Sequence, residues 1–251
     1  MIDIIEAIRN AAAPFGLNLV SAVGVDMYDS VVTHRYRASA IAPRAKSIVV
    51  IGSGGGGFWR AASRHAEAHP GWWTRENPLD DFTREVIDGA VVPAANSPAR
   101  VIYPFMGDGP TLNFIELAKA AGLAGATILG VVAHPVFGPW IAFRAALLLD
   151  DSLDAPGDAR GFDPCPSCTT RSCIAACPVG AVAHPAGWDI PKCVTHRVEN
   201  ETDCATRCHA RVACVLGPEH RYPDDELAYH QMRALRSMRP WYDANLKPKQ
   251  S

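Results

Sequence analysis

Cysteine is the residue type whose spacing in this chain carries the clearest chemistry. All eight cysteines of the 251-residue sequence lie in the fifty residues from 165 to 214. The first four follow the pattern C-x2-C-x4-C-x3-C-P, and the last four follow C-x10-C-x3-C-x5-C. Thiolates are soft ligands for iron–sulfur clusters and zinc. The concentration therefore predicts metal ligation by Cys165, Cys168, Cys173, Cys177, Cys193, Cys204, Cys208 and Cys214.

The first four cysteines resemble the C-x2-C-x2-C-x3-C-P segment with which bacterial ferredoxins hold [4Fe–4S] clusters. The gap after Cys168 is four residues here instead of two. Each cubane takes four thiolates, so eight cysteines suffice for two clusters. The interleaved ferredoxin pattern implies one cluster on Cys165, Cys168, Cys173 and Cys214. It implies a second on Cys177, Cys193, Cys204 and Cys208, whose membership stays open because the second half departs from the pattern.

Three other uses of the same cysteines compete with two clusters. They are a pair of zinc sites with four thiolate ligands each, disulfides, and one cubane with four further cysteines. The N-terminus lacks a basic segment followed by an apolar one, and no apolar run reaches the roughly 18 residues that span a bilayer. We therefore expect a cytoplasmic protein without a membrane partner, where disulfides are disfavoured. Two [4Fe–4S] clusters are the favoured interpretation.

The overall charge weighs against a nucleic-acid partner. The formal net charge is −2 and the sequence pI is about 6.5. Proteins that bind tRNA normally present a substantial basic surface. Binding of tRNA is therefore the less favoured expectation.

Apolar runs and helical repeats alternate along the chain without the rhythm of a parallel sheet, which predicts an α+β fold with a mixed sheet flanked by helices. Residues 26–30 are expected to form a turn, and residues 93–98 and 150–163 to form linkers. The predicted helices are 4–13, 58–69, 77–89 and 112–121. The predicted strands are 17–25, 46–52, 100–105, 127–132 and 143–149.

A glycine-rich turn follows the strand predicted at 46–52. Residues 52–57 satisfy G-x-G-x-x-G, but five glycines in six positions match it by composition alone. No second strand ends in an acidic residue about 20 positions on, as a dinucleotide site requires. The favoured interpretation is a backbone without side chains that lets a bulky ligand approach closely at Gly54 and Gly57.

Three segments resemble the CblC (MMACHC-type) cobalamin-processing family: PFGLNLVSAVGVDMY at 14–28, HPVFGPWIAFRAALLL at 134–149, and EHRYPDDELAYH at 219–230. The resemblance implies a nitroreductase-related α+β domain that binds cobalamin and carries an inserted ferredoxin-like module. It divides the chain into a cobalamin-binding domain at 1–157, the iron–sulfur module at 158–217, and a segment at 218–251 that packs back on the first domain. The same order is similar to the epoxyqueuosine reductases and the reductive dehalogenases.

Site residues are implied by the same resemblance. It places the loop at 134–140 beside the corrin, with the glycine turn as another wall and a guanidinium near the ligand. The chain departs from the family at Pro139, where a second glycine stands, and at Ala145. Plain core packing of the aromatic residues and a buried ion pair of the arginine are the alternatives. The expected cobalamin contacts are His134, Phe137, Gly138, Trp140, Arg144, Gly54 and Gly57.

The expected function is that of a cobalamin-binding iron–sulfur oxidoreductase, in which electrons from an external donor reach a corrinoid through two clusters. It would reduce cobalamin or remove its upper ligand, or use the corrinoid to reduce a substrate. The alternatives are an epoxyqueuosine-reductase-like enzyme acting on tRNA, and a ferredoxin-type carrier or cobalamin chaperone without catalysis. Flavin is an alternative cofactor, and the resemblance implies a homodimer. Asp108, Tyr103 and His134 are candidate proton donors among which the sequence does not choose.

Overall fold

The computed structural model describes residues 3–106, 109–200 and 204–247, so Asp108 lies outside the described residues. The chain divides into two compact units. The first unit is Met1–Gly125 with Ile141–Phe162, and the second is Ala126–Trp140 with Asp163–Ser251. This division differs from the three segments expected from the sequence. It groups residues 126–140 and the C-terminal helix with the cysteines.

The first unit is built on a four-stranded sheet of β1 (Leu19–Gly24), β2 (Ser47–Gly54), β3 (Ala99–Ile102) and β4 (Ile141–Leu149), in the order β1-β2-β4-β3. All residues of β2 are buried, as expected for a β-branched apolar run in the centre of a sheet. The three pairings are antiparallel. The α+β class is confirmed, and the described sheet is antiparallel instead of mixed.

Amphipathic helices flank this sheet. The first begins after Asp3, whose carboxylate accepts the backbone N–H of Ile5 at 3.0 Å and thereby caps the helix. Its buried residues Ile5, Ile8 and Ala12 recur at helical spacing. The helices are α1 (Ile4–Ala12), α2 (Val25–Val31), α3 (Ala38–Ile41), α4 (Gly57–Ala68), α5 (Pro78–Val86), α6 (Val92–Ala95) and α7 (Phe114–Ala120), with a π-helical turn at Ile87–Val91 and 3₁₀ turns at Ala13–Phe15, His34–Tyr36 and Trp72–Thr74.

The second unit is made of short elements around the cysteines and one long helix. The elements are α8 (Ser172–Ala175), the hairpin of β5 (Val182–Ala183) and β6 (Gly187–Trp188), α9 (Ile190–Glu199), α10 (His209–Val212), a 3₁₀ turn at Pro218–His220, and α11 (Asp224–Asn245). Helix α11 packs on α9 within this unit. None of the described helices is both long enough and apolar enough to cross a membrane.

Three local predictions were wrong. Residues 26–30 are helical in α2, and residues 93–95 of the predicted linker are helical in α6. Residues 127–132 form no strand, although they are largely apolar. Residues 127–129 line a cavity beside the cysteines instead, so their apolar character serves that cavity and not a sheet.

Candidate functional site

Four cysteines of the second unit surround one cavity of about 320 Å³. They come from three places in the sequence, namely the turn before α8, α8 itself, and the segment after α10. All eight cysteines are free thiols. The cysteines that line the cavity are Cys165, Cys168, Cys173 and Cys214.

Two short helices hold these thiols in place. Cys173 lies within α8, and Cys214 follows α10 by two residues. The hydroxyl of Ser172 donates a hydrogen bond to the carbonyl of Ala213 at 2.6 Å, which ties the start of α8 to the end of α10. The backbone N–H of Cys168 donates to the carbonyl of Cys165 at 3.2 Å and closes the turn between the first two thiols.

The electrostatics of this cavity suit thiolates that are stabilised by a bound cationic core. Burial raises the pKa of Cys173 and Cys214, and the neighbouring thiolates of Cys165 and Cys168 raise both further. The backbone N–H of Arg171 lowers the pKa of Cys168. Binding of a positive core relieves such repulsion between like charges, because metal ligation couples to thiol deprotonation.

A second group of cysteines lies in the same unit, where Cys177 and Cys208 pack with Trp188 against one hydrophobic cluster. Burial raises the pKa of Cys193, and the thiolates of Cys208 and Cys177 raise it further. The side chain of Trp188 donates a hydrogen bond to Cys193 and lowers that pKa. Cys204 is buried. Its membership of this group stays a prediction.

The hydrogen-bond donors around both groups of cysteines fit iron–sulfur chemistry. The backbone N–H of Ile128 donates to Sγ of Cys165 at 3.5 Å, and that of Ala181 donates to Sγ of Cys177 at 3.2 Å. Such hydrogen bonds to sulfur tune cluster potentials. No three His, Cys, Asp or Glu side chains of the described residues converge on a single metal ion. A cubane spreads its thiolates over four irons, and thiols that line a cavity suit it.

The loop at 134–140 is a tight turn of the second unit. His134 and Gly138 exchange backbone hydrogen bonds of 2.9 and 2.8 Å. The backbone N–H groups of Val136 and Phe137 donate to Nδ1 of His134 at 3.0 and 3.3 Å, which leaves the proton of the neutral ring on Nε2.

This loop closes against the segment that follows Cys214. Gly138 and Gly217 both have positive φ, at 56° and 54°. A Cβ on Gly138 would lie 2.1 Å from the carbonyl oxygen of Leu216, and one on Gly217 would lie 2.5 Å from the carbonyl carbon of Phe137. Only glycine satisfies both the conformation and the spacing at these positions.

Trp140 anchors the loop from inside. Its side chain is fully buried and packs with Tyr222 and Leu227. The guanidinium of Arg211 lies 4.9 Å from the Trp140 ring centroid and donates to the carbonyl oxygen of Pro139 at 3.2 Å. Any contribution of Trp140 to ligand binding would therefore act through the position of the loop.

Arg144 occupies a β-bulge of the first unit. The register between β2 and β4 shifts there, because Ile51 faces Ala145 and Gly52 faces Phe143. A bulge re-aims a side chain and often lies beside a functional site. Arg144 is only 7% exposed, and its guanidinium lies 4.5 Å from the centroid of the Phe58 ring.

The glycine turn of the first unit is held by hydrogen bonds to the side chain of Asn18. The side chain of Asn18 accepts the backbone N–H of Gly54 at 2.7 Å and donates to its carbonyl at 3.1 Å. Gly57 packs against the backbone of Gly16 and begins α4. The turn therefore presents a fixed backbone surface.

The expected cobalamin contacts fall in both units, and their roles stay predictions. Four of them lie in the second unit and three in the first. The contacts in the second unit are His134, Phe137, Gly138 and Trp140. Those in the first unit are Gly54, Gly57 and Arg144.

Two arginines of the second unit were missed by sequence reasoning. Arg211 stands three residues from both Cys208 and Cys214, and Arg197 stands four residues after Cys193. Cys193 and Arg197 share a face of α9, because residues four apart on a helix are neighbours. Its spacing to Cys193 was therefore the signal that could have identified Arg197, whereas Arg211 offered no such signal.

Comparison with known proteins shows similarity of fold. No family model matches the sequence, and the curated protein sequences gave no match. The chain is similar to epoxyqueuosine reductase from Bacillus subtilis, with a TM-score of 0.57 and 16% identity over 87% of this chain and 66% of that one. It is similar to the C. elegans B12-trafficking protein CblC, a human MMACHC homologue, with a TM-score of 0.57 and 12% identity over 98% and 97%.

The catabolic reductive dehalogenase NpRdhA, in complex with 3-bromo-4-hydroxybenzoic acid, is a further structural neighbour. Its TM-score is 0.51 with 19% identity over 95% of this chain and 36% of that one. The chain thus spans just under two thirds of the epoxyqueuosine reductase and about a third of the dehalogenase. At these identities the comparisons establish a fold similar to that of CblC.

Proposed function

We propose that this protein is a cobalamin-binding iron–sulfur oxidoreductase in which two [4Fe–4S] clusters pass electrons from an external donor to a corrinoid. The observation that carries the proposal is the cavity of the second unit, which four thiols line together. A second group of thiols lies in the same unit. This arrangement follows the interleaved ferredoxin pattern, in which the fourth cysteine of a run serves the other cluster.

The fold similarity supports the corrinoid half of the proposal. The C. elegans neighbour is named as a B12-trafficking protein, and the similarity extends over 97% of its chain. The other neighbours are named as a reductase and a reductive dehalogenase, which favours reduction as the reaction type. A bound corrinoid would supply the reactive metal, and bound clusters would supply single electrons.

The chain's own residues supply binding, orientation and charge. The eight thiolates hold the clusters, and the N–H groups of Ile128 and Ala181 stabilise the sulfur charge. Arg144 offers a buried guanidinium that can hold a carboxylate or amide oxygen of the corrinoid. The backbone of residues 54–57 allows the macrocycle to approach closely, and the loop at 134–140 offers the rings of His134 and Phe137.

An epoxyqueuosine-reductase-like enzyme is the second candidate. The observation that favours it is the structural similarity to the Bacillus subtilis reductase, whose TM-score of 0.57 equals that of the CblC neighbour. The net charge of −2 weighs against a tRNA substrate. Binding to a tRNA stem-loop whose affinity falls steeply with salt would favour this candidate over the first.

A carrier or cobalamin chaperone without catalysis is the third candidate, and flavin is the alternative cofactor. Anaerobic turnover with excess reductant separates an enzyme from a carrier, since only an enzyme converts many equivalents. Titration with flavin mononucleotide in parallel with cobalamin identifies the cofactor. Sedimentation of the loaded protein tests the homodimer.

Stopped-flow mixing tests the proposed electron transfer. Protein loaded with clusters is reduced with dithionite, freed of excess reductant by gel filtration, and mixed anaerobically with cob(III)alamin. We expect one cobalamin to be reduced for each electron lost from the clusters. Protein without clusters is the control. Clusters that stay reduced in the presence of cobalamin would contradict the proposal.

A further inference from the structure

Arg197 is a buried cation of the second unit. The residue is 6% exposed. Its Nη2 donates to the carbonyl oxygen of Gln231 at 2.8 Å, and its Nη1 lies 3.2 Å from the sulfur of Met238. Both contacts come from α11, and neither partner carries a charge. Burying an arginine without a counterion is costly, so such a residue is normally paired.

No acidic side chain within residues 3–106, 109–200 and 204–247 forms an ion pair with Arg197. The nearest acidic residue on its own helix is Glu199, and that carboxylate accepts the hydroxyl of Tyr242 at 2.6 Å. Within that part of the chain, the hydrogen bonds to α11 satisfy part of the guanidinium and leave its charge uncompensated. A bound anionic group would fit this buried cation as a partner.

The position of Arg197 identifies where this anion lies. Arg197 follows Cys193 by one helical turn on α9, and residues four apart share a helix face. The guanidinium therefore lies on the same face of α9 as Cys193, a member of the second group of cysteines.

We propose that Arg197 is the counter-charge of the cluster held by the second group of cysteines and raises the reduction potential of that cluster. The inference rests on the proposed function only in requiring that the cluster exist. A cubane with four thiolates is anionic, and reduction adds one further electron to it. Net charge near a cluster sets its potential. A fixed buried cation favours the reduced form, because its attraction is weakly screened.

The test is a potentiometric titration of anaerobic full-length protein, with dithionite as the reductant and electron paramagnetic resonance of the clusters as the readout. R197M removes the charge and keeps an apolar side chain in the buried position, and R197K keeps the charge. R236Q removes a charge from an exposed position of α11 and is the matched control.

We expect one of two cluster potentials to fall in R197M and to return close to the wild-type value in R197K. The expected shift is a change of about tenfold or more in the one-electron equilibrium, and tenfold corresponds to about 59 mV. R236Q should leave both potentials unchanged. Loss of about four irons in R197M but not in R197K would support the same conclusion, since the cluster then needs the cation to bind.

Two results would overturn the inference. One is an R197M protein with both clusters at wild-type potentials. The other is R197K impaired as severely as R197M, which would assign Arg197 to packing between α9 and α11. Measuring iron and acid-labile sulfide in the wild-type protein distinguishes these two results from a failure of the proposed function. Wild-type protein without clusters would remove both proposals, whereas loaded protein with unshifted potentials would remove this inference alone.

Discussion

At the scale of single residues, the cysteines show how far sequence can predict a site. The interleaved ferredoxin pattern implied the set of Cys165, Cys168, Cys173 and Cys214. These four line one cavity, and their role as ligands stays a prediction. Spacing alone could not assign Cys204 to a cluster, because its neighbours depend on how the chain folds between residues 193 and 208. Arg211 was missed for a related reason, and Arg197 offered only its spacing to Cys193. A lone arginine has no motif, and its role follows from what surrounds it.

Replacing Cys173 by alanine tests the proposed division of the ligands. This thiol is buried within α8 and lines the cavity, so its loss should remove one cluster and leave the other. We expect the iron content to fall from about eight to about four per chain. Iron and acid-labile sulfide analysis of anaerobically purified protein measures the change. Unchanged iron, or zinc without sulfide, would contradict the assignment.

Arg144 tests the corrinoid half of the account. Replacing this buried arginine by methionine removes the guanidinium above Phe58. Because hydrogen bonds to a charged group contribute about 1.5–3 kcal/mol, we expect cobalamin affinity to fall at least about tenfold. Isothermal titration calorimetry measures the affinity. R64M, at an exposed position of α4, is the control and should bind normally. Equal affinities in R144M and R64M would exclude Arg144 from the site.

At the scale of elements, the sequence predicted the strands that a local pattern of apolar residues specifies. Strand β2 was predicted from a continuous run of β-branched and apolar residues, and β4 from an apolar run that only Arg144 interrupts. Residues 127–132 are similarly apolar and form no strand, because the cavity beside Cys165 uses residues 127–129 as its lining. The bulge at Arg144 also escaped prediction, since a register shift depends on both strands.

The contact between residue 138 and the segment after Cys214 should tolerate only glycine. In G138A the new Cβ would clash with the carbonyl of Leu216, and the backbone would keep an unfavourable positive φ. We expect a loss of about 2–4 kcal/mol in the free energy of unfolding, measured by anaerobic urea denaturation. G187A is the matched control. It has a φ of 82° with nothing within 4 Å of the new Cβ, so it reports strain alone.

If G138A were no less stable than G187A, the close contact at residue 138 would be wrong. The same pair also bears on function. A displaced loop at 134–140 should weaken cobalamin binding in G138A and leave it unchanged in G187A.

Tyr28 ties α2 to the start of α7 and should make stability depend on pH. Its hydroxyl oxygen accepts the backbone N–H of Asn113 at 2.8 Å, and burial raises its pKa from 10.0 to about 12. A raised folded-state pKa gives stability that is complete below pH 10 and is lost as the pH rises through 12. We expect Y28F to cost about 1 kcal/mol at pH 8.

The stability difference between the wild type and Y28F should then decline as the pH rises above 10, because phenylalanine has no proton to lose. Urea denaturation at pH values between about 8 and 11 measures it. A difference that does not change with pH would show that the Tyr28 hydroxyl ionises equally in the folded and unfolded chains.

At the scale of the whole molecule, composition set limits but did not identify a partner. The net charge of −2 argues against broad attraction to tRNA, and the fold similarity joins proteins named for B12 trafficking, epoxyqueuosine reduction and reductive dehalogenation. The α+β class followed from the order of elements. The division into units did not, since it depends on contacts between residues 126–140 and a segment that begins more than twenty residues later.

Cobalamin titration of the anaerobic, cluster-loaded protein tests the central claim most directly. The absorbance of cobalamin and the heat of binding are followed together, with R144M as the weakened comparison and flavin mononucleotide as the competing cofactor. We expect saturable binding of one corrinoid per site, a shift in its spectrum and no response to flavin. Cobalamin that gives neither heat nor a spectral shift with protein containing both clusters would contradict the account.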